Sequence, residues 1–346
     1  MSSRDFVRIV WIDDEPDHKE DARNLESKRR KLKIEFIQPI EFEDFLNKRE
    51  NRVDLFLVDD RLILRRNIRS TFNRRGLSVA AQIRERFPEI PIYLFSAYPR
   101  GFGIYTTLAE AAESLADEIL DLKKIQREGH DVLYYDAIDY RRIKESRRGS
   151  ITVLLDLLDS PKDDQQRIVS ALPESLKTGL SHSSRATSST GNSIAFAKWT
   201  KRSFLKFPGF VYNPIYSATM LGMTLESFIN HRSKFEGARY TGIFAKTWGN
   251  DLWWSSKLRE IVFNTAARKL PGDDTTDLKR LVEKLLRLRD PEIAKCVICG
   301  KRYPDIVGIN EEDETDCKPV HYRCSTKHPR KQEALYFDEI RQFKMK

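Results

Sequence analysis

Asp13 and Asp14 follow the apolar run VRIVWI (7–12), Asp59 follows VDLFLV (53–58), and Ser96 follows IPIYLF (90–95). Each run has the length and apolar content of a strand buried on both faces, so each of these polar residues stands where a buried strand ends. Carboxylates brought together from separate strand ends make a hard oxygen site of the kind Mg²⁺ prefers, with room for water and a phosphoryl group. The Ser96 hydroxyl can bond a phosphoryl oxygen. A lysine near the end of DEILDLKK (117–124), Lys123 in preference to Lys124, would supply the remaining positive charge.

A second set of reactive side chains lies near the other terminus. Cys296 and Cys299 in CVICGKRYP (296–304) have knuckle spacing, and His321 and Cys324 in VHYRC (320–324) form a second close pair. Four such ligands suit a tetrahedral Zn²⁺ with no open position, hence a structural site. Cys317 and His328 are the possible substitutes. The layout resembles a treble-clef zinc finger over 296–328, in which a knuckle is joined by a hairpin to a pair at the start of a helix. No catalytic His-Asn-His pattern surrounds it, so a hydrolase reading has little support. All four cysteines lie between Cys296 and Cys324, which suits a metal site in a reducing compartment better than a disulfide framework.

The segment YSATMLGMTLESFINHR (216–232) follows the helix-turn-helix pattern: Ala218 and Leu221, then Gly222 in the turn, Met223, Thr224 as N-cap and Phe228 as core anchor. Its second helix would present Glu226, Ser227, Asn230, His231 and Arg232, of which Asn230, His231 and Arg232 are the candidate contacts to nucleic acid. An ordinary pair of helices around a glycine turn accounts for the same residues and is the preferred reading.

The elements that must position the acidic groups alternate. Strands 7–12, 32–37, 53–58 and 90–95 are interleaved with helix-compatible stretches 21–31, 41–48 and 77–87. That β-α-β-α order implies a doubly wound α/β sheet with right-handed crossovers, whose functional crevice lies at the carboxyl ends of the strands. Residues 126–194 read as a helical connector ending in the Ser-rich linker GLSHSSRATSSTGNS (179–193). Beyond it, helical segments 251–269 and 275–289 and the residues Trp199, Trp248, Trp253 and Trp254 promise a second core.

At 346 residues, 40% hydrophobic and 33% charged, the chain is expected to fold into two or three soluble units. Its apolar runs are too short to span a bilayer, and MSSRDFVRIV is broken by charge where a signal peptide needs an apolar stretch, so a cytoplasmic protein without membrane partners is expected. Residues 195–346 hold 28 basic against 19 acidic residues, while the preceding segments are balanced, so the whole surplus of +9 lies C-terminally. An anionic partner such as DNA is expected there.

Over roughly residues 6–125 the sequence resembles the receiver domains of two-component response regulators. WIDDEP matches the family's acidic pair, DLFLVD the strand ending in the acceptor aspartate, and FSA the strand ending in a hydroxyl residue followed by a small one. The resemblance implies a flavodoxin-like fold, phosphate acceptance and metal binding at Asp59, direct metal binding by Asp14 and water-mediated binding by Asp13. It further implies metal binding by the main-chain carbonyl of Arg61, phosphoryl contacts from Ser96 and Lys123, and a sensor histidine kinase or another signalling protein as partner. The sequence departs from the family in the basic insert RLILRRNIRSTFNRRG (61–76), and Lys123 is followed by Lys124 rather than proline. The expected organisation is therefore a receiver (1–125), a connector and linker (126–194), and a basic, mainly helical, zinc-containing output domain (195–346). Phosphorylation would control nucleic-acid binding, with no enzymatic activity beyond accepting the phosphoryl group. The alternative is a protein-interaction adaptor with a degenerate receiver and purely structural zinc.

Overall fold

The structure, a computed structural model, describes residues 6–29, 31–47, 52–67, 70–96, 115–146, 151–181, 192–206, 209–248, 251–272, 277–302, 306–311, 313–321 and 324. Of residues 63–67, 70–75, 178–181, 192, 306–311, 313–318 and 320 it describes the backbone alone. The chain divides into two compact units: Met1–Leu157 with Leu172–Trp199, and Leu158–Ala171 with Thr200–Lys346.

The first unit is built on β1 (Val7–Ile12), β2 (Leu32–Ile37), β3 (Leu55–Asp59), β6 (Ile92–Ser96) and β7 (Glu118–Asp121), paired in parallel in the order β2-β1-β3-β6-β7. The order reverses beside β1, and this is the doubly wound arrangement in which a crevice opens at the strands' carboxyl ends. Helices α1 (His18–Lys28), α2 (Phe42–Asn47), α3 (Gly76–Arg86) and α4 (Leu122–Glu145) accompany the strands. Because both faces are covered, β3 and β6 are apolar almost without interruption; Phe56, Val58, Ile92 and Leu94 are fully buried in one core with Phe42 and Ile83.

The amino ends of the strands are braced by paired acids. Asp54 accepts from the Arg8 N–H (2.9 Å) and from Arg141 Nη2 (2.6 Å). Asp117 is fully buried, accepts from the Ile92 N–H (2.8 Å) and from Arg84 Nη2 (2.6 Å), and faces Lys198 Nζ at 3.3 Å. Buried carboxylates paired this well are strongly destabilising if their partner is removed, which fixes Arg84 and Arg141 as parts of the frame.

The basic insert has a fold of its own, and one expected border is displaced. The basic insert folds into an antiparallel ribbon of β4 (Arg61–Asn67) and β5 (Ser70–Arg75), with Arg61 opposite Arg75, and returns the chain to Gly76 at the start of α3. A Cβ at Gly76 would stand 2.1 Å from the Asp59 carbonyl oxygen, and the Gly76 N–H bonds the Asp60 carbonyl at 2.8 Å, so only glycine lets α3 begin this close to the end of β3. The expected border at residue 125 falls inside α4, a 24-residue helix that packs on α1 and β1 and buries Leu133, Ala137 and Ile143 in the first unit. Its apolar stripe is interrupted by buried Asp136 and Asp139, which is why it read as polar connector. Asp136 receives a hydrogen bond from the buried Tyr93 hydroxyl.

The rest of the expected connector is also helical and is shared between the units. α5 (Ile151–Leu157), α7 (Glu174–Ser181) and α8 (Asn192–Trp199) belong to the first, and α6 (Lys162–Ala171) to the second. Residues 182–191 of the expected linker lie outside the described residues, and its ends are taken by α7 and α8. Trp199 falls in the first unit, stacked on Phe196.

The second unit is mainly helical: α9 (Pro214–Leu221), α10 (Leu225–His231), α11 (Ser255–Lys269) and α12 (Leu278–Leu286). Two antiparallel ribbons join them, β8 (Val211–Tyr212) with β9 (Trp253–Trp254) and β10 (Ile306–Glu311) with β11 (Asp313–His321). Trp253 and Trp254 are buried; Trp253 meets Phe228 edge-on, in a core shared with Leu258, Val262 and Leu281. Among the described residues no helix is long and apolar enough to cross a membrane.

Candidate functional site

The register of β1 against β3 places Ile12 opposite Val58, so Asp13 and Asp59 emerge side by side. Carboxylate oxygens of Asp13, Asp14 and Asp59 lie within 4.8 Å of one another. Asp13 is fully buried and held at three points: its Oδ1 accepts from the Glu15 N–H (2.9 Å), and its Oδ2 accepts from Trp11 Nε1 (3.1 Å) and meets His18 Nδ1 (2.6 Å). Sequence reasoning singled out neither Trp11 nor His18. The only signal for His18 was its position five residues after Asp13, at the first residue of α1.

Crowding in a half-dry site shifts the titration of Asp13 and Asp59. Burial raises the Asp13 carboxyl above its usual value, against the hydrogen bonds from Glu15, His18 and Trp11. Burial and then the neighbouring Asp13, Asp14 and Asp60 push Asp59 up to about 7, opposed by the hydrogen bond from the Arg61 N–H. Burial works against charge on the His18 ring, yet the charge and hydrogen bond of Asp13 outweigh it and raise His18. Such a cluster is a charge deficit that a divalent cation bound to oxygen donors would relieve.

Ser96 ends β6, is buried, and stands in register with Asp121 at the end of β7. The last residue of that strand is thus an aspartate. Lys123 lies past it in the first turn of α4, exposed, its backbone N–H donating to Asp121 Oδ1 at 2.8 Å. Among the described residues no hydrogen bond or ion pair joins Lys123 to Asp13, Asp14 or Asp59. The strand stops earlier than expected because the Asp121 side chain caps the helix. Arg61 opens β4 with its side chain in solvent.

No family model matches the chain, and no curated protein does. Solved structures similar to part of it are response-regulator receivers. The response regulator DrrB of Thermotoga maritima is 14% identical over 37% of this chain and 51% of its own, with a TM-score of 0.28, so the match spans about half of DrrB. A CheY-like receiver domain protein of Methanospirillum hungatei is 12% identical over 40% of this chain and 98% of its own, at 0.31. TrrA of Thermotoga maritima, solved with Mg(2+)-BeF, is 22% identical over 34% of this chain and 86% of its own, at 0.24.

In the second unit, one ligand atom each from Cys296, Cys299, His321 and Cys324 falls within 4.8 Å of the others. The knuckle turns through Gly300 at φ +70°, whose N–H bonds the Cys296 carbonyl, while the Cys296 N–H bonds the Lys301 carbonyl. The β10–β11 ribbon then returns the chain to His321. His321 Nε2 stands 2.7 Å from the Arg302 carbonyl, which can only accept, so Nε2 carries the proton and Nδ1 is left as the ligand atom. Nδ1 lies 3.2 Å from Cys299 Sγ and 3.9 Å from Cys324 Sγ. Burial raises the Cys296 thiol, but backbone N–H groups of His321, Cys299 and Ile298 bring it down to about 7, while burial and the neighbouring Cys299 and Cys296 push Cys324 up to about 11. Of the possible substitutes, the Cys317 side chain and His328 lie outside the described residues.

The helix pair forms as its sequence suggests. Asn213 caps α9 and Thr224 caps α10 through their side chains, with Gly222 at φ +74° between them. Asn230 and Arg232 are exposed and His231 is half-buried. Ser227, expected on the outer face, is buried beside Phe228; Arg232 begins a 3₁₀ turn (Arg232–Ala238) rather than extending α10.

The acidic cluster makes stability depend on pH. The folded, metal-free protein keeps a proton on Asp59 that the unfolded chain releases between 3.8 and about 7. The contribution of Asp59 is therefore fully present below pH 3.8 and lost as pH rises through about 7. With chelator present, the urea midpoint of the full chain should fall across that interval more steeply than that of Asp59→Asn. Parallel pH profiles would show that Asp59 titrates as an ordinary carboxyl.

Proposed function

We propose that this chain is a response-regulator-like signalling protein that accepts a phosphoryl group on Asp59 and passes the change to a nucleic-acid-binding output in the second unit. The observation that carries the reading is the meeting of Asp13, Asp14 and Asp59 at the carboxyl ends of adjacent parallel strands, beside the buried hydroxyl residue Ser96. A Mg²⁺ ion held directly by Asp14 and Asp59 and through water by Asp13, with Arg61 offering its carbonyl, would neutralise charge on the transferring group. Trp11 and His18 fix Asp13, so one ligand is oriented before any metal arrives. An Asp59 oxygen attacks phosphorus in line as the bond to the imidazole nitrogen of a kinase phosphohistidine breaks. The electron pair returns to that nitrogen, and Ser96 donates to a phosphoryl oxygen. Lys123, in the first turn of α4 just past Asp121, is the proposed cation for the phosphoryl group, with Lys124 as its substitute.

Cys296, Cys299, His321 and Cys324 are proposed to hold a structural Zn²⁺, since three sulfurs and an imidazole leave no ligand position open. Asn230, His231 and Arg232 are the proposed nucleic-acid contacts, supported by exposure of Asn230 and Arg232 and by the basic surplus of residues 195–346. A specific observation favours a second reading, a protein-binding output. Leu225 and Ile229 are 39% and 46% exposed on the same helix, and Val297 and Ile298 of the knuckle are 49% and 36% exposed. Leu225 and Ile229, four apart on one helix, are neighbours on its surface, and adjoining exposed apolar side chains are what a protein contact uses.

Incubating the full chain with acetyl phosphate and Mg²⁺ should add the mass of one phosphoryl group, and Asp59→Asn should remove the gain. A gain that survives the substitution would place the acceptor elsewhere. Metal analysis should return about one zinc per chain, lost when Cys296→Ser is combined with Cys299→Ser. Titration of the full chain with duplex DNA should give binding that weakens steeply as salt rises and weakens further in Arg232→Ala. Absence of binding at low salt would leave the protein-binding output.

A further inference from the structure

A cavity of about 450 Å³ lies in the second unit among α11, α12 and the 3₁₀ turn Arg232–Ala238, and neither the acceptor site nor the cysteine cluster makes use of it. Its floor is apolar and buried, formed by Phe235, Val262 and Val282, with Leu285 as a half-buried wall. Its rim carries three exposed cations, Lys234, Arg268 and Lys269, and the Thr265 hydroxyl. Among the described residues no carboxylate pairs with any of the three. Arg268 Nε donates to the Asn264 carbonyl at 3.1 Å, which leaves its other N–H groups free to face a ligand. Arg268 and Lys269 sit in the last turn of α11, where cations also offset the helix dipole. Lys234 belongs to a different element, so the dipole does not account for three cations meeting over one apolar cavity.

We propose that this cavity binds a single small amphiphilic anion, a molecule with an apolar body and one carboxylate, sulfonate or phosphate head. The volume falls within the usual range for small-molecule sites, and an apolar floor with a few convergent polar groups at its edge is their ordinary composition. The floor takes the apolar body out of water, and the rim supplies charge-assisted bonds to the head. A nucleic-acid backbone would use the cations and leave the floor empty. The inference is independent of the phosphoryl-transfer reading.

The test uses the full chain and 8-anilinonaphthalene-1-sulfonate as probe, under conditions where the chain melts cooperatively. Fluorescence should saturate at one site per chain. Dodecanoate should displace the probe, and dodecyltrimethylammonium, with the same tail and the opposite charge, should not. Thr265→Trp, which fills the mouth without entering the buried floor, should abolish saturable binding. Arg268→Glu combined with Lys269→Glu should weaken it by about tenfold or more while cooperative melting is retained, the loss expected for charged contacts. Equal displacement by the cationic amphiphile, or binding indifferent to both variants, would overturn the proposal. Co-flotation with phosphatidylglycerol vesicles that Thr265→Trp abolishes would overturn it in favour of a membrane surface.

Discussion

The parallel pairing of β1 with β3 is the constraint on which the first unit depends. With Ile12 opposite Val58, the residues that follow are carried to one place whatever their charge. β1 and β3 are buried on both faces along most of their length, so a slip would push apolar residues out of the core and carry the strand-end carboxylates in; burial thus holds Asp13 against Asp59. The fold treats the same residue type in opposite ways at the two ends of the sheet. At the amino ends, Asp54 and Asp117 each have an arginine and a backbone N–H as partners and act as braces. At the carboxyl ends, His18 offsets part of the charge of Asp13, while Asp59 is left with a carboxyl pushed to about 7. Electrostatic strain of this kind, confined to one end of an otherwise well-paired sheet, is the feature on which the proposed cation and phosphoryl site rests.

Much of this was legible in the sequence because the strands are buried on both faces. VRIVWI and LKIEFI coincide with β1 and β2, and the acidic residues at the ends of β1 and β3 were identified by position alone. Other parts were hidden for physical reasons. His18 and Trp11 act on Asp13 through side-chain directions that no periodicity reveals. α4 buries acids as well as apolar residues, so its pattern does not separate it from a polar connector. Where β7 gives way to α4 was not legible, because Asp121 both ends the ladder opposite Ser96 and caps the helix, which leaves Lys123 in the first helical turn. The 61–76 insert showed charge and no alternation, and its ribbon takes its register from closure between Arg61 and Arg75.

In the second unit, paired spacing of Cys296 with Cys299 and of His321 with Cys324 was sufficient to find the cluster, since ligand geometry limits which spacings close. Selection of Nδ1 on His321 was not legible, because it depends on the carbonyl of Arg302, a residue in no motif. Arg302 also pairs with Glu283 of α12 at 3.2 Å and with Asp290. The residue that sets the histidine tautomer therefore also ties the knuckle to the helices. Removing its side chain would loosen that tie without deleting a ligand.

The helix pair and the knuckle are one mechanical body for a further reason. The turn between α9 and α10 is stitched to the chain that leads into the knuckle: the Thr224 N–H bonds the Glu292 carbonyl at 2.9 Å, and the Ala294 N–H bonds the Gly222 carbonyl at 3.0 Å. A Cβ at Gly222 would stand 2.8 Å from Lys279 Cβ, and its φ of +74° favours glycine, so this turn has no freedom to adjust separately. Leu225 at the start of α10 and Pro319 of β11 line one cleft, so the outer face of α10 is presented at a fixed distance from the hairpin. A metal bound by the four ligands would hold that distance against thermal opening of the knuckle, since metal-binding energy in small sites is folding energy. On either reading of the output proposed above, recognition would rest on the same rigid pairing of α10 with the hairpin.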